Sequence, residues 1–161
     1  MSLNPDVTVA AVVMRDGRFL LVEERIAGRL VINQPAGHLE DGETLVEAAM
    51  REAREETAWG FRPEALVGTY LWRNPDNGRS FLRFAFCGDV EGHRPNQPLD
   101  RGIVRALWLA RAELAAQPSR LRSPLVMRCI EDFLAGKRQP LDSVACLDLQ
   151  SALHAPSVVN L

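Results

Sequence analysis

The chain has 161 residues, 47% of them hydrophobic and 25% charged, with a formal net charge of -2. That length suits one domain with a sizeable core, and the near-neutral balance argues against a surface for a nucleic acid polymer. Cys87, Cys129 and Cys146 are odd in number and far apart, with no CxxC pair or Cys/His cluster. This argues against a disulfide framework or a zinc site and predicts a reducing, cytoplasmic setting.

Residues 1–6 lack a basic segment followed by an apolar core, so no signal peptide is expected. The apolar runs fall far short of the ~20 residues that span a bilayer, so no membrane partner is expected. Residues 7–14, rich in Val and Ala, stop at Arg15-Asp16-Gly17 and resume over 19–22, which predicts a β-hairpin. A short strand is predicted over 30–32, ended by Gln34-Pro35-Ala36-Gly37. There proline cannot donate to a ladder and glycine permits a sharp turn. Residues 44–57 predict the main helix, with Ala48, Ala49 and Ala53 as strong helix formers that allow close packing. A break is expected at Gly60 and Pro63. Strands are predicted over 66–72 and 80–90 around the turn Asn74-Pro75-Asp76-Asn77-Gly78, then a polar loop over 91–101. A strand over 103–109 and a short helix over 110–116 follow. Ser123-Pro124 sets an N-cap before a first-turn proline and opens a helix to about Leu134, which Gly136 ends. The segment after Lys137 reads as an ordered strap or a mobile tail. Several strands with two substantial helices suggest a mixed sheet covered on both faces.

The predicted helix 44–57 carries a charge pattern that needs explaining. At roughly 100° per residue, Glu55 and Glu56 fall within about 60° and 40° of Glu52, on opposite sides of it. Three carboxylates on one arc repel one another by a few tenths of a kcal/mol per pair. A solvated acidic face with Arg51 and Arg54 as partners is the plain reading. A bound hard cation is the functional one, and oxygen donors favour magnesium or manganese over zinc.

Gly37, Glu43, Arg51, Glu52, Glu55 and Glu56 stand in the register G-x5-E-x7-R-E-U-x-E-E-x-G-U, where U is aliphatic. Residues 37–59 thus resemble the Nudix box. Two positions depart from it: Ala53 replaces a larger aliphatic, and Ala58-Trp59 stands where glycine and an aliphatic are usual, with Gly60 as the expected helix terminator. Residues 34–40, 81–84 and 121–126 are also similar to the NudJ-type phosphatases of that family. The resemblance implies an α/β fold, a Nudix-type α/β/α sandwich around a mixed β-sheet, over residues 1–141. It leaves 142–161 as a C-terminal extension without an assigned role.

The resemblance further implies a magnesium-dependent hydrolase (manganese being the alternative ion) of small nucleotide or organic diphosphates. Glu52, Glu55 and Glu56 would be metal ligands, joined by a backbone carbonyl at Ala36 or Gly37. Arg51 would pair with Glu43 and hold the ligands in register. The general base is left open among Glu55, Glu56 and the off-box acids Glu91 and Asp100. The implied reaction is phosphate release from nucleoside di- and triphosphates or a thiamine-related pyrimidine diphosphate. The alternatives are internal cleavage of a dinucleotide or sugar nucleotide, and a non-catalytic nucleotide sensor, whose mark would be loss of a box glutamate.

Outside the box the residues carry two readings each. His38 reads as turn packing or a substrate contact, and Trp72 as a rim tryptophan or a stacking face for a base. Arg83 reads as an outward strand charge or a phosphate contact. Arg122 reads as a surface charge beside Ser123, with anion binding as the alternative. Trp59 and Trp108 read as structural.

Overall fold

The computed structural model describes residues 3–147. β1 (Asp6–Arg15) is buried on both faces over Val9 to Val13, as a central strand requires. It pairs with β2 (Arg18–Ile26) only next to the turn, at Met14–Phe19 and Arg15–Arg18. The predicted hairpin therefore exists only at its base. Beyond it β2 joins β3 (Arg29–Asn33), while β1 runs parallel to a later strand, and this divergence opens a cleft between two sheet surfaces.

Residues Ala36–His38, expected to turn, form instead a three-residue strand, β4, antiparallel to β1. α1 (Leu45–Thr57) begins at Thr44 with a reciprocal capping box to Glu47. Ala48, Ala49 and Ala53 are fully buried against Val9, Ala11, Val13 and Phe86. Their small side chains let the helix lie close to the sheet. Ala53, the departure from the box, is thus packed and not a void at the surface.

α1 ends at Ala58, which adopts the left-handed conformation (φ 61°) with its N–H on the Arg54 carbonyl. The terminator is Ala58 itself and not Gly60, which already belongs to β5 (Gly60–Arg73). An L-residue there is strained by about 1–2 kcal/mol, against about 0.8 kcal/mol for its buried methyl. Ala58→Gly is therefore expected to stabilise the domain by up to about 1 kcal/mol. A lower midpoint in urea would contradict this account of the helix end.

Pro63 lies within β5 and does not break it, because β5 is an edge strand whose register shifts between Pro63 and Ala65. β6 (Ser80–Glu91) pairs with β5 on one side and β1 on the other. β7 (Ile103–Ala110) completes the second sheet on β2. α2 (Arg111–Ala115) is a short connector. α3 (Leu125–Leu134) covers the opposite face from α1, burying Cys129 and Ile130 against Ala10, Val12 and Ala85. Ser123 Oγ accepts the Leu125 N–H at 3.3 Å, while Pro124 stands at the helix boundary.

The result is an α/β/α sandwich around a mixed sheet. Gln139 pairs with Leu66, and Leu141 and Val144 pack against the α1 side of the core, so the segment to residue 147 is an ordered strap. The remainder of the 142–161 extension, residues 148–161, lies outside the described residues. No helix among the described residues is long and apolar enough to cross a membrane.

Candidate active site

A cleft of about 380 Å³ opens where the two sheet surfaces separate. Its floor is the contact between β4 and α1. At Gly37 an added Cβ would lie 2.1 Å from Glu52 Oε1, so only glycine lets the β4 backbone stand against that carboxylate. The backbone there is not left-handed. The glycine serves close approach and not the sharp turn expected from the sequence. One residue earlier, the Ala36 N–H donates to Glu56 Oε2 at 3.0 Å.

Arg51 holds this floor in register. Its Nε and Nη2 donate to both oxygens of Glu43 at 2.9 and 2.7 Å. Nη1 donates to Glu52 at 2.8 Å and Glu55 at 3.3 Å, and Nη2 also reaches the His38 carbonyl at 3.0 Å. The bidentate bond to Arg51 holds the Glu43 carboxyl below the usual range. Burial acts the other way on the cleft acids. It raises Glu52, and it pushes Glu56 up to about 9 despite the Ala36 N–H, with the charges of Glu52, Glu24 and Asp100 adding to the rise.

The predicted residues separate into two groups. Ala36, Gly37, His38, Glu52, Glu56, Trp72, Arg83 and Asp100 all line the cleft. Glu55 does not; it is bound to Arg51 with its side chain 45% exposed. Glu91 does not line the cleft either; it ends β6 with its side chain exposed, facing Arg62 at 3.6 Å. His38 is exposed at the rim. Arg83 is not an outward strand charge. It is only 6% exposed, because α3 covers that face of β6. Trp72 stacks on Phe81 with centroids 5.8 Å apart. Trp59 packs edge to face with Trp108 at 6.5 Å, away from the cleft.

Asp100 reaches the rim because the 91–101 loop docks on the end of α1. The backbone N–H groups of Asp100 and Arg94 donate to the Glu55 and Ala58 carbonyls, and Gln97 reaches the Arg54 carbonyl. The Glu55 and Ala58 carbonyls, orphaned at the helix end, thereby find partners. Sequence reasoning missed Thr8, Glu24 and Asn33, which also line the cleft. Glu24 was open to detection: it continues the face of Leu20 and Val22, both buried, at a spacing of two residues.

Among the described residues no group of three acidic, histidine or cysteine side chains is already converged on one metal position. The donor set nevertheless fits a hard divalent cation. Glu52 and Glu56 face the cleft beside the β4 backbone, and the missing Cβ of Gly37 leaves room for the carboxylate there. Glu55 would need to leave Arg51 to join them.

A family model for the NUDIX domain matches residues 4–128. The chain is 47% identical over 141 residues to Phosphatase NudJ of Escherichia coli (strain K12), covering 88% of this chain and 91% of that one. A solved NUDIX hydrolase from Nitrosomonas europaea superposes with a TM-score of 0.89 at 50% identity, covering 91% and 99% of the two chains. A bifunctional NMN adenylyltransferase/ADP ribose pyrophosphatase from Francisella tularensis, solved with AMP and a Mn ion, is similar in fold alone. It has a TM-score of 0.61 and 21% identity, over 84% of this chain and 42% of that one.

Proposed function

The chain belongs to the Nudix hydrolase family and is a hydrolase acting on phosphoric anhydrides. From that premise we propose that it releases phosphate from nucleoside di- or triphosphates, or from a thiamine-related pyrimidine diphosphate. The observation that carries the reading is the floor of the cleft, where Gly37 brings the β4 backbone against Glu52 and Ala36 engages Glu56. The 47% identity to a phosphatase supports the bond class.

In this reading Glu52, Glu55 and Glu56, with a carbonyl of Ala36 or Gly37, hold magnesium, manganese being the alternative. When bound, the ion neutralises phosphate oxygens and lowers the pKa of water. Arg51 keeps the carboxylates in place through Glu43 and the His38 carbonyl. A cleft acid accepts the proton of the attacking water, the candidates on its walls being Glu56 and Asp100. Trp72, with Phe81 behind it, offers an aromatic face to the organic group, and His38 and Arg83 offer polar contacts. The catalytic domain is assigned to residues 1–141, and three unpaired cysteines support a cytoplasmic setting.

The test is product analysis with magnesium and a nucleoside triphosphate. Orthophosphate is the expected product. Pyrophosphate alone would replace this reading with internal cleavage, and no turnover across a broad panel of diphosphates would overturn catalysis.

A further inference from the structure

The cleft holds a buried cation that the metal-binding floor does not explain. Arg83 Nη1 donates to Gln34 Oε1 at 3.3 Å, and the guanidinium also reaches the Cys129 thiol and feels the Glu24 charge. It makes no ion pair among the described residues, and its Nε has no hydrogen-bond partner. A buried guanidinium with neutral partners and an empty donor is costly unless an anion completes it.

The surroundings agree. Four buried polar atoms lack hydrogen-bond partners among the described residues: Thr8 Oγ1, Glu24 Oε1, Asn33 Oδ1 and Arg83 Nε. All four residues line this one cleft. Thr8 is abreast of His38 on one neighbouring strand and of Arg83 on the other. Arg83 thus stands two strand spacings, about 10 Å, from the β4 backbone of the floor. The first turn of α3 opens onto the same end of the cleft, with Arg122, Ser123 and Leu125 on its wall. A helix N-terminus favours an anion. Glu24 carries the opposing charge, but Arg122 lies 3.5 Å from it and partly balances it.

We propose that Arg83, with Thr8, Arg122 and the N-terminus of α3, grips the terminal phosphate of the substrate from the side opposite Glu52 and Glu56. This rests on the hydrolase reading above and adds which phosphorus is attacked. Water oxygen bonds to the terminal phosphorus, and the bond from that phosphorus to the bridging oxygen breaks. The electron pair stays on the bridging oxygen of the shortened substrate, and the water proton passes to a cleft carboxylate. Orthophosphate leaves from the Arg83 side.

The experiment compares wild type, Arg83→Gln, Arg83→Lys and Thr8→Val. Equilibrium binding of inorganic phosphate is measured together with the orthophosphate-to-pyrophosphate ratio from a nucleoside triphosphate. Loss of a charged hydrogen bond predicts phosphate affinity down about ten- to hundredfold in Arg83→Gln, a higher KM, and pyrophosphate appearing among the products. Arg83→Lys recovers part of the affinity, and Thr8→Val loses a few-fold. The magnesium concentration for half activation stays unchanged. Wild-type phosphate affinity in a folded Arg83→Gln protein overturns the proposal, as does an equal loss of phosphate and magnesium response, which marks a structural role. If Arg83→Gln does not fold, unchanged phosphate affinity in Thr8→Val overturns it. A wild type that binds phosphate through Arg83 but hydrolyses nothing would instead overturn the hydrolase reading and leave the anion site standing.

Discussion

Glu56→Gln is expected to lower turnover about a thousandfold while leaving the domain folded. Glu56 is 7% exposed, and its Oε2 accepts the Ala36 N–H. A glutamine oxygen keeps that bond and that shape but not the charge. Charge stabilisation by a bound ion is worth several kcal/mol, and about 4 kcal/mol is a thousandfold in rate. Stability should move differently. Burial pushes the Glu56 carboxyl up to about 9, so in metal-free protein it is neutral at pH 7, like the glutamine. A carboxyl raised in the folded state favours folding fully below its unfolded value, near 4.5, and that contribution fades as pH rises toward 9. With chelator present, wild type should therefore lose stability from pH 5 to 9 by up to about 1.4 kcal/mol per pH unit. The variant should lose less. Magnesium should restore the wild type through binding linkage and help the variant little. Thermal midpoints over that pH range, with and without magnesium, check both parts. Full turnover at saturating magnesium would remove Glu56 from the ligand set.

What the sequence disclosed and what it withheld divide by the range of the interaction. Arg51, Glu52, Glu55 and Glu56 sit within two turns of α1, so their mutual placement follows from helical geometry. The Arg51–Glu43 pair spans only eight residues. Most elements were readable from their own period and caps and suggested a mixed sheet covered on both faces, while the α/β/α sandwich itself was what the resemblance to the Nudix box implied. Thr8 and Asn33 were silent, and Glu24 was marked only by its spacing from Leu20 and Val22, because three non-local events bring them together: parallel pairing of β1 with β6, separation of β1 from β2, and attachment of β7 to β2. Arg83 was misleading as a strand charge because its burial depends on α3, more than forty residues later in the chain. Asp100 enters the cleft only because loop amides satisfy the carbonyls at the end of α1. Ala58 is a local failure: nothing in its side chain marks a left-handed cap, and Gly60 nearby was the better chemical candidate.

Gly37→Ala should be nearly as damaging to turnover as losing a ligand, although it removes no functional group. Its Cβ would stand 2.1 Å from Glu52 Oε1, 2.2 Å from Cδ and 2.6 Å from Oε2. Something must move, and the flexible end of a side chain yields before a β4 backbone paired to β1 does. Glu52 would therefore swing out and give up the 2.8 Å bond from Arg51. Because the backbone at Gly37 is not left-handed, alanine brings no torsional strain, and the stability loss should stay near 1–2 kcal/mol. Turnover should fall about a hundredfold or more, since displacing a catalytic group by an ångström costs that much. The cause is separable from general damage by a double-mutant cycle. If Gly37→Ala acts by displacing Glu52, it should add little in a Glu52→Gln background, where the ligand is already lost. Glu52→Asp, one methylene shorter, should recover part of the activity in the Gly37→Ala chain. Fully additive losses, or wild-type turnover in Gly37→Ala, would mean that the contact between β4 and α1 is packing and that the ligand position lies elsewhere.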